Sequence, residues 1–311
     1  MRLALVSKMV VVMAAVALFS GTARAAEYLW TPDANGGRVH AFSADTANTS
    51  VASYAFGQGF GVTLGRNRDI YVTDQANNQV LRYDGITTAP EGVFASTNLN
   101  APWGLTFGPD GNMYVVNQGG LATVERYNGQ TGAWMSTFVT DILNDFPTSV
   151  TFGPDGNLWV SGRANGGRME VYSGVNGSFL YTRGGATLTE PNQAAFGPNG
   201  NLFAADIVDA GVYEIDLAGN FVASHLMGQL DTAIGLVFAP DGSLFVSTRN
   251  ADNRIHRLIP DGFGGFTDSI WVNPGTGGFV KGTDLALTPE PASLALLGLG
   301  GLLMVRRRRV A

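Results

Sequence analysis

The side chains available for catalysis in this chain are limited by its composition. The 311 residues include three histidines and no cysteine, which excludes thiolate nucleophiles, thiolate metal sites and disulfides. His40, His225 and His256 offer no recognisable Ser/His/Asp arrangement for nucleophilic catalysis. The sequence therefore disfavours enzymes that depend on a cysteine nucleophile, a thiolate metal site or a Ser/His/Asp triad.

Three aspartates recur in similar surroundings and are the most regular candidates for a cation site. Asp110, Asp155 and Asp241 each stand between proline and glycine, and a ladder of carboxylates could bind Ca²⁺. The same residues are typical of a tight hairpin turn, because Asp accepts hydrogen bonds from the backbone and Gly readily adopts φ > 0. We predict that these aspartates cap turns.

The segments around these aspartates form an internal repeat that must position any site. The stretch 105–115 recurs at 150–160, 194–204 and 236–246, with a degenerate copy at 62–72. Equivalent residues of successive copies lie 42 to 45 residues apart. A period of about 40–50 residues built from short strands is typical of a β-propeller.

Each repeat accommodates four strands, and six outer strands can be counted, which predicts an all-β, six-bladed propeller. The first unit lacks its own inner strand, because 28–31 fits the second-strand position. The missing strand is found at 283–288. We therefore expect N- and C-terminal strands to share one blade, which closes the ring and removes the exposed sheet edge.

Two of the histidines occupy equivalent positions in third strands, and His225 belongs to a fourth, outer strand. His40 and His256 stand where other repeats have Leu81, Glu125, Glu170 and Tyr213. Such variety predicts an outward, tolerant position, so we expect no histidine on the propeller axis.

The repeat, with Pro-Asp-Gly-Asn-Leu-Trp-Val at 154–160 as its clearest copy, resembles the NHL, SMP-30/gluconolactonase and streptogramin-lyase group of six-bladed propellers. The resemblance implies two enzyme chemistries. SMP-30-like hydrolases hold a divalent metal on the axis through Glu, Asn and Asp, and streptogramin lyases depend on axial His and Glu. Of the matching axial positions only Asn192 could ligate a metal; the positions are Phe60, Trp103, Thr148, Asn192 and Ile234.

These departures lead us to expect no catalytic residue, no metal and no cofactor. The first hypothesis is a noncatalytic binding or structural module. The alternative is a streptogramin-lyase-like or lactonase-like enzyme with a divergent axial metal site, and a scaffold for protein complexes is a third, weaker option.

Propeller topology brings together the loops that enter inner strands and those that leave second strands. We predict a binding face there for a carbohydrate or a peptide, since aromatic rings stack on apolar faces while polar groups fix orientation. The competing interpretation is that the aromatics cap the blades and the charges are solvated. The predicted face comprises Phe60, Asp74, Trp103, Asn117, Arg163, Asn192, Asp206, Arg249 and Asn250, with Phe146 and Phe279 beside them.

The N-terminal segment has the pattern of a secretory signal peptide. Arg2 and Lys8 precede an apolar run from Met9 to Phe19, and Ala23-Arg24-Ala25 supplies a cleavage site. We assign residues 1–26 to the signal peptide and residues 27–288 to the propeller.

The C-terminal segment, residues 289–311, combines Pro289-Glu290-Pro291, an apolar run and an arginine cluster of Arg306, Arg307, Arg308 and Arg309. This combination resembles the PEP-CTERM sorting signal, which an exosortase of Gram-negative bacteria reads and cuts. The apolar run at 292–305 is shorter than the roughly 20 residues needed to span a bilayer. We expect a short hydrophobic helix that acts as a transient membrane anchor.

Charge narrows the range of partners. The whole chain carries a formal net charge of −6, and both terminal segments are basic, so the propeller itself is more acidic. An acidic domain repels nucleic acid and other polyanions. The expected partners are exosortase, the secretion machinery and a carbohydrate or protein ligand, with export across the inner membrane to the envelope or the extracellular matrix.

Overall fold

Six four-stranded antiparallel sheets make up the described part of the chain. The computed structural model describes residues 27–142, 146–163, 166–184, 187–226, 228–250 and 253–288. The prediction of an all-β, six-bladed propeller is confirmed. The predicted signal peptide and the predicted C-terminal hydrophobic helix lie outside the described residues.

Successive blades are formed by strands that are consecutive in the chain. The first three blades consist of β1 (Tyr28–Asp33), β2 (Arg38–Ser43) and β3 (Ser50–Ala55); β4 (Val62–Leu64), β5 (Ile70–Asp74), β6 (Gln79–Tyr83) and β7 (Pro90–Ala95); and β8 (Pro102–Phe107), β9 (Met113–Asn117), β10 (Thr123–Tyr127) and β11 (Trp134–Val139).

The second half of the ring repeats this order and ends with the strand that completes the first blade. Its elements are β12 (Pro147–Phe152), β13 (Leu158–Gly162), β14 (Arg168–Tyr172) and β15 (Phe179–Arg183); β16 (Pro191–Phe196), β17 (Leu202–Asp206), β18 (Gly211–Ile215) and β19 (Phe221–His225); β20 (Ala233–Phe238), β21 (Leu244–Thr248), β22 (Ile255–Pro260) and β23 (Phe266–Val272); a 3₁₀ turn (Thr276–Gly278); and β24 (Ala286–Thr288).

The ring closes through pairing between the two ends of the domain. Strand β24 pairs antiparallel with β1, with Leu29 opposite Leu287. The backbone N–H of Tyr28 donates to Thr288 Oγ1 at 2.9 Å, and an isolated bridge joins Asp33 to Gly282. The predicted shared blade is confirmed, with β24 as its inner strand.

Inner strands approach one another very closely around the axis. Each of the six contacts the inner strands of both neighbouring blades. A Cβ atom added to Gly104 would lie 2.6 Å from Ser149 Cα, and one added to Gly235 would lie 2.2 Å from the carbonyl oxygen of Thr283. Glycine at these positions lets the backbones meet.

The hydrophobic core is divided into six clusters, each lying between two neighbouring blades. The repeat explains them, because the aromatic residue of a second strand meets the Phe of the next inner strand. Tyr114 meets Phe152 edge to face with ring centroids 5.0 Å apart, and Phe203 meets Phe238 at 4.9 Å. Edge-to-face pairs add to the free energy gained by burial.

The repeated aspartates cap turns, as predicted. Asp110 Oδ1 accepts the backbone N–H of Asn112 at 3.0 Å, and Asp155 Oδ1 accepts that of Asn157 at 3.1 Å. Gly111, which lies between Asp110 and Asn112 in the first of these turns, adopts a φ of 82°. Their hydrogen-bonding capacity is therefore used inside the hairpins.

The prediction that the third-strand position faces outward is wrong. His40 and Glu170 are completely buried, and His256 is almost so. Each of these polar side chains lies beside a polar group: Tyr172 donates its hydroxyl to Glu170 at 2.6 Å, His256 Nδ1 lies 3.0 Å from Asp268, and His40 Nε2 lies 3.6 Å from Asp33 Oδ2. Varied residues occur there because local partners compensate their burial.

Removing the closing strand tests the shared blade. Deleting residues 283–311 should lower the melting temperature by about 10 °C, because the buried contacts made by Leu285 and Leu287 are removed and β1 becomes an edge strand. Deleting residues 289–311 is the matched control and should leave the melting temperature nearly unchanged in calorimetry. Equal melting temperatures for the two truncations would contradict the closure.

Candidate binding site at the mouth of the propeller axis

The six inner strands enclose a central channel of about 250 Å³. Gln193 ties together strands on the wall of this channel. Its Oε1 accepts the backbone N–H of Leu236 at 2.7 Å and that of Leu285 at 2.9 Å. The carboxamide thus links β16, β20 and the segment leading to β24, and it occupies part of the lumen.

Two stacked aromatic rings lie at the end of the axis where the loops lead into the inner strands. We call this end the mouth. Phe60 precedes β4 and Trp103 lies in β8, and their rings are parallel within 10° with centroids 3.6 Å apart. Each ring is only 7% exposed. Phe146 approaches Trp103 edge-on at 6.1 Å and is 44% exposed.

Two arginines reach the same aromatic pair from loops that leave second strands. Arg163, after β13, holds its Cζ 5.7 Å from the Trp103 ring centroid. Arg249, after β21, holds its Cζ 5.6 Å from the centroid of Phe60. Cation–π attraction at these distances favours the guanidinium positions.

Asn192 completes the cluster and fixes one arginine. Its Oδ1 accepts a hydrogen bond from Arg163 Nη2 at 2.7 Å, and its Nδ2 donates to the carbonyl oxygen of Ile234 at 3.0 Å. Arg249 Nε donates to the carbonyl oxygen of Gly282 at 3.3 Å. Five residues of the predicted face therefore meet at the mouth: Phe60, Trp103, Arg163, Asn192 and Arg249.

The remaining four residues of the predicted face hold loops together. Asp206 accepts backbone N–H groups of Thr189 and Val208. Asp74 accepts from the side chains of Asn77 and Gln79. Asn117 Oδ1 accepts the backbone N–H of Asn100, whereas Asn250 Nδ2 donates to Thr232 Oγ1. Phe279, grouped with the face from sequence, is fully buried in the core, where its ring lies 5.6 Å from that of Phe42.

Burial and mutual repulsion lower the pKa values of the cationic side chains at the mouth. Burial lowers the pKa of Arg163. Burial, assisted by the neighbouring charge of Arg163, lowers the pKa of Arg249 to about 10. Burial and the charge of Arg249 lower the pKa of Lys281. The mouth therefore holds cations that repel one another in a poorly solvated place.

One carboxyl group faces these cations without being paired to them. Asp284 is buried, and burial raises its pKa well above the usual value, against the opposing effect of Arg249 and Arg163. Its Oδ1 has no hydrogen-bond partner, and neither do Arg163 Nε, Arg249 Nη2 and Trp103 Nε1, although all four atoms are buried. Such atoms normally bind water, an ion or a ligand.

Lys281 and Asp284 were not part of the predicted face. Both could have been found from the closing-strand alignment, because that strand's loop enters the axis like the other five. By strand register Asp284 occupies the position that has Gly61, Gly104 and Gly235 in three other inner strands and Ser149 and Gln193 in the remaining two, so a carboxylate there is a departure from the repeat.

No histidine belongs to the cluster of five residues at the mouth. His40 is on β2, His225 on β19 and His256 on β22, and each pairs with a carboxylate: Asp33, Glu214 and Asp268. Within the described ranges, no group of three His, Cys, Asp or Glu side chains is arranged to hold a metal ion. Asp74 and Asp206 in particular do not join Asp284 in such a group.

Sequence comparison identifies the C-terminal segment. Residues 287–309 match the model of the PEP-CTERM protein-sorting motif. The chain carries a PEP-CTERM sorting signal. The motif implies export and sorting by an exosortase at the cell envelope. No curated protein matches the chain, and no helix among the described residues has the length and hydropathy to cross a membrane.

Solved structures share the propeller fold at low sequence identity. A protein of unknown function from Bacteroides caccae has a TM-score of 0.65 at 15% identity, covering 85% of this chain and 99% of its own. A chain of a nidogen/laminin complex has a TM-score of 0.66 at 13% identity, with coverage of 85% and 98%.

An enzyme is among the similar structures. Virginiamycin B lyase from Staphylococcus aureus has a TM-score of 0.58 at 16% identity, covering 77% of this chain and 79% of its own. Identities this low show a common six-bladed fold alone, and fold does not determine function.

Replacing Asp284 by asparagine tests the protonation of the axial carboxyl. Because its pKa is raised in the folded protein, native Asp284 stabilises most at low pH, and this stability is lost as pH rises from about 4 through the folded pKa. Asp284→Asn removes the titration. The melting temperatures of variant and native protein should agree near pH 4 and diverge with rising pH in favour of the variant. A difference independent of pH would contradict the raised pKa.

Proposed function

We propose that this protein is an exported, noncatalytic propeller that binds a carbohydrate or a peptide through the mouth of its axis. In this proposal residues 1–26 are removed as a signal peptide, and residues 289–311 are cut by exosortase after serving as a transient membrane anchor. The domain at 27–288 then acts at the cell surface or in the extracellular matrix.

The observation that carries the binding role is the convergence of Phe60, Trp103, Arg163, Asn192 and Arg249. Aromatic rings with adjacent guanidinium and carboxamide groups are the usual means of holding polar ligands that also have apolar faces. Unpartnered donors on both arginines leave hydrogen-bonding capacity for a ligand.

The chemistry of the mouth supports binding more than turnover. Arginine, asparagine and aromatic side chains do not act as nucleophiles or general bases at neutral pH. The histidines, which could, are engaged with carboxylates in third and outer strands.

A second candidate, a lyase-like or lactonase-like enzyme, is favoured by one observation. Asp284 is a buried carboxyl with a raised pKa close to two arginines, and perturbed acids of this kind occur at active sites. Turnover of lactones or cyclic depsipeptides that is abolished in Asp284→Asn would select this candidate over the binding module.

Ligand screens with matched variants test the binding role. Against arrays of glycans, peptides and matrix polymers, Trp103→Ala and Arg163→Ala should each weaken binding about tenfold, because each removes a central contact. Arg66→Ala is the control, since Arg66 is an exposed arginine at the turn between β4 and β5, at the opposite end of these strands. Absence of any ligand, or a ligand bound equally by all variants, would contradict the proposal.

Processing is tested by mass spectrometry of the protein from cells with and without exosortase. With the enzyme, the mature chain should end near Pro291 and leave the membrane fraction. Without it, the arginine cluster at 306–309 should be retained and the chain should stay with the membrane. An identical C-terminus in both strains would rule out exosortase cleavage.

A further inference from the structure

The mouth is locally cationic although the domain around it is acidic. Arg163, Arg249 and Lys281 lie close enough for Arg163 to lower the pKa of Arg249, and for Arg249 to lower that of Lys281, in addition to the effect of burial. Bringing like charges together in a poorly solvated place is unfavourable unless an anion compensates them.

The acidic groups nearby offset these charges only in part. The charge of Asp33 raises the pKa of Arg249 and that of Lys281, but its carboxylate oxygens are engaged by other groups. Asp33 accepts backbone N–H groups of Gly36 and Val280 and lies beside His40. Asp284 retains its proton to higher pH because it is buried. Glu190, which acts on Arg163 from the loop before β16, leaves Arg163 Nε without a hydrogen-bond partner.

We propose that Arg163 and Arg249 together bind the carboxylate of a single uronic acid residue in an otherwise neutral glycan. This inference rests on the proposed binding function and specifies its ligand. Guanidinium groups offer the N–H geometry that matches a carboxylate. Arg163 and Arg249 are partly exposed, and each also has a buried donor, Arg163 Nε or Arg249 Nη2, without a hydrogen-bond partner.

A sugar fits the surroundings better than a peptide segment. Phe60 and Trp103 are each only 7% exposed, which leaves contact area for one ring rather than an extended chain. Phe146, 44% exposed beside Trp103, offers an apolar surface for the C–H face of a pyranose. Asp284 Oδ1 is buried without a hydrogen-bond partner, so this carboxyl group has capacity for a hydrogen bond with a hydroxyl group.

The acidity of the whole domain sets a further condition on the ligand. Densely charged polyanions are repelled by the remaining surface, whereas an isolated carboxylate meets only the cationic mouth. We therefore expect glycans with sparse uronic acids to bind better than polyuronates, and their affinity to fall with rising salt concentration.

The experiment measures binding to the full-length protein by titration calorimetry with three probes. The probes are an aldobiouronic acid, the same disaccharide with its carboxyl reduced to an alcohol, and an acetylated peptide with one glutamate. The acid should bind at least about tenfold more tightly than the reduced disaccharide and the peptide, a ratio typical of a charge-assisted contact.

Variants assign the effect to the two arginines. Arg163→Gln and Arg249→Gln should each weaken binding of the acid about tenfold, and should weaken binding of the reduced disaccharide by a smaller factor. Arg66→Gln removes the same charge at the opposite end of the strands and should have no effect. Melting temperatures and circular dichroism verify that each variant is folded, and Arg163→Lys, which preserves the charge, should retain part of the affinity.

The outcomes separate this inference from the function on which it rests. Equal affinity for the acid and its reduced form, or affinity unaffected by both arginine variants, overturns the carboxylate site while Trp103-dependent glycan binding can stand. Arginine-dependent binding of the peptide alone overturns the glycan assignment. No binding of the acid overturns the inference, and the screen with Trp103→Ala then decides the broader function.

Discussion

Pairing of β24 with β1 is the interaction on which the rest of the molecule depends. It places the last inner strand beside β4 and β20 and removes the exposed edge of β1. The same closing segment brings Lys281, Gly282 and Asp284 to the axis, where Gly282 accepts a hydrogen bond from Arg249. An open ring would therefore lack not only stability but also one side of the mouth.

The packing of the blades restricts the choice of side chains between blades and around the axis. Between blades, aromatic pairs such as Tyr114 and Phe152 fill the core in a repeating way. Around the axis, backbone contact at Gly104 and Gly235 leaves little room for side chains. The loops at the mouth are free of both constraints, which explains why Arg163, Arg249 and the exposed Phe146 lie there.

The architecture was predictable from sequence because turn chemistry and aromatic spacing recur in every blade. The burial of the third-strand position was not predictable. His40 lies beside Asp33 and Glu170 accepts a hydrogen bond from Tyr172, and these neighbours do not recur in the repeat. The topology of the repeat indicates that Asp74, Asp206 and Arg163 all lie in loops that leave second strands. Only the hydrogen bonds of the structure show that the two carboxylates stabilise their own loops. The raised pKa of Asp284 requires knowledge of its burial.

The sequence overlap between the sorting motif, which begins at residue 287, and β24, which ends at Thr288, has a consequence for biogenesis. The propeller cannot become a ring until the residues next to its sorting signal have been delivered to the same compartment as β1. The first blade can therefore be completed, and the sorting signal recognised, at nearly the same stage of translocation. Cleavage would then act on a chain whose ring has only just acquired its final strand.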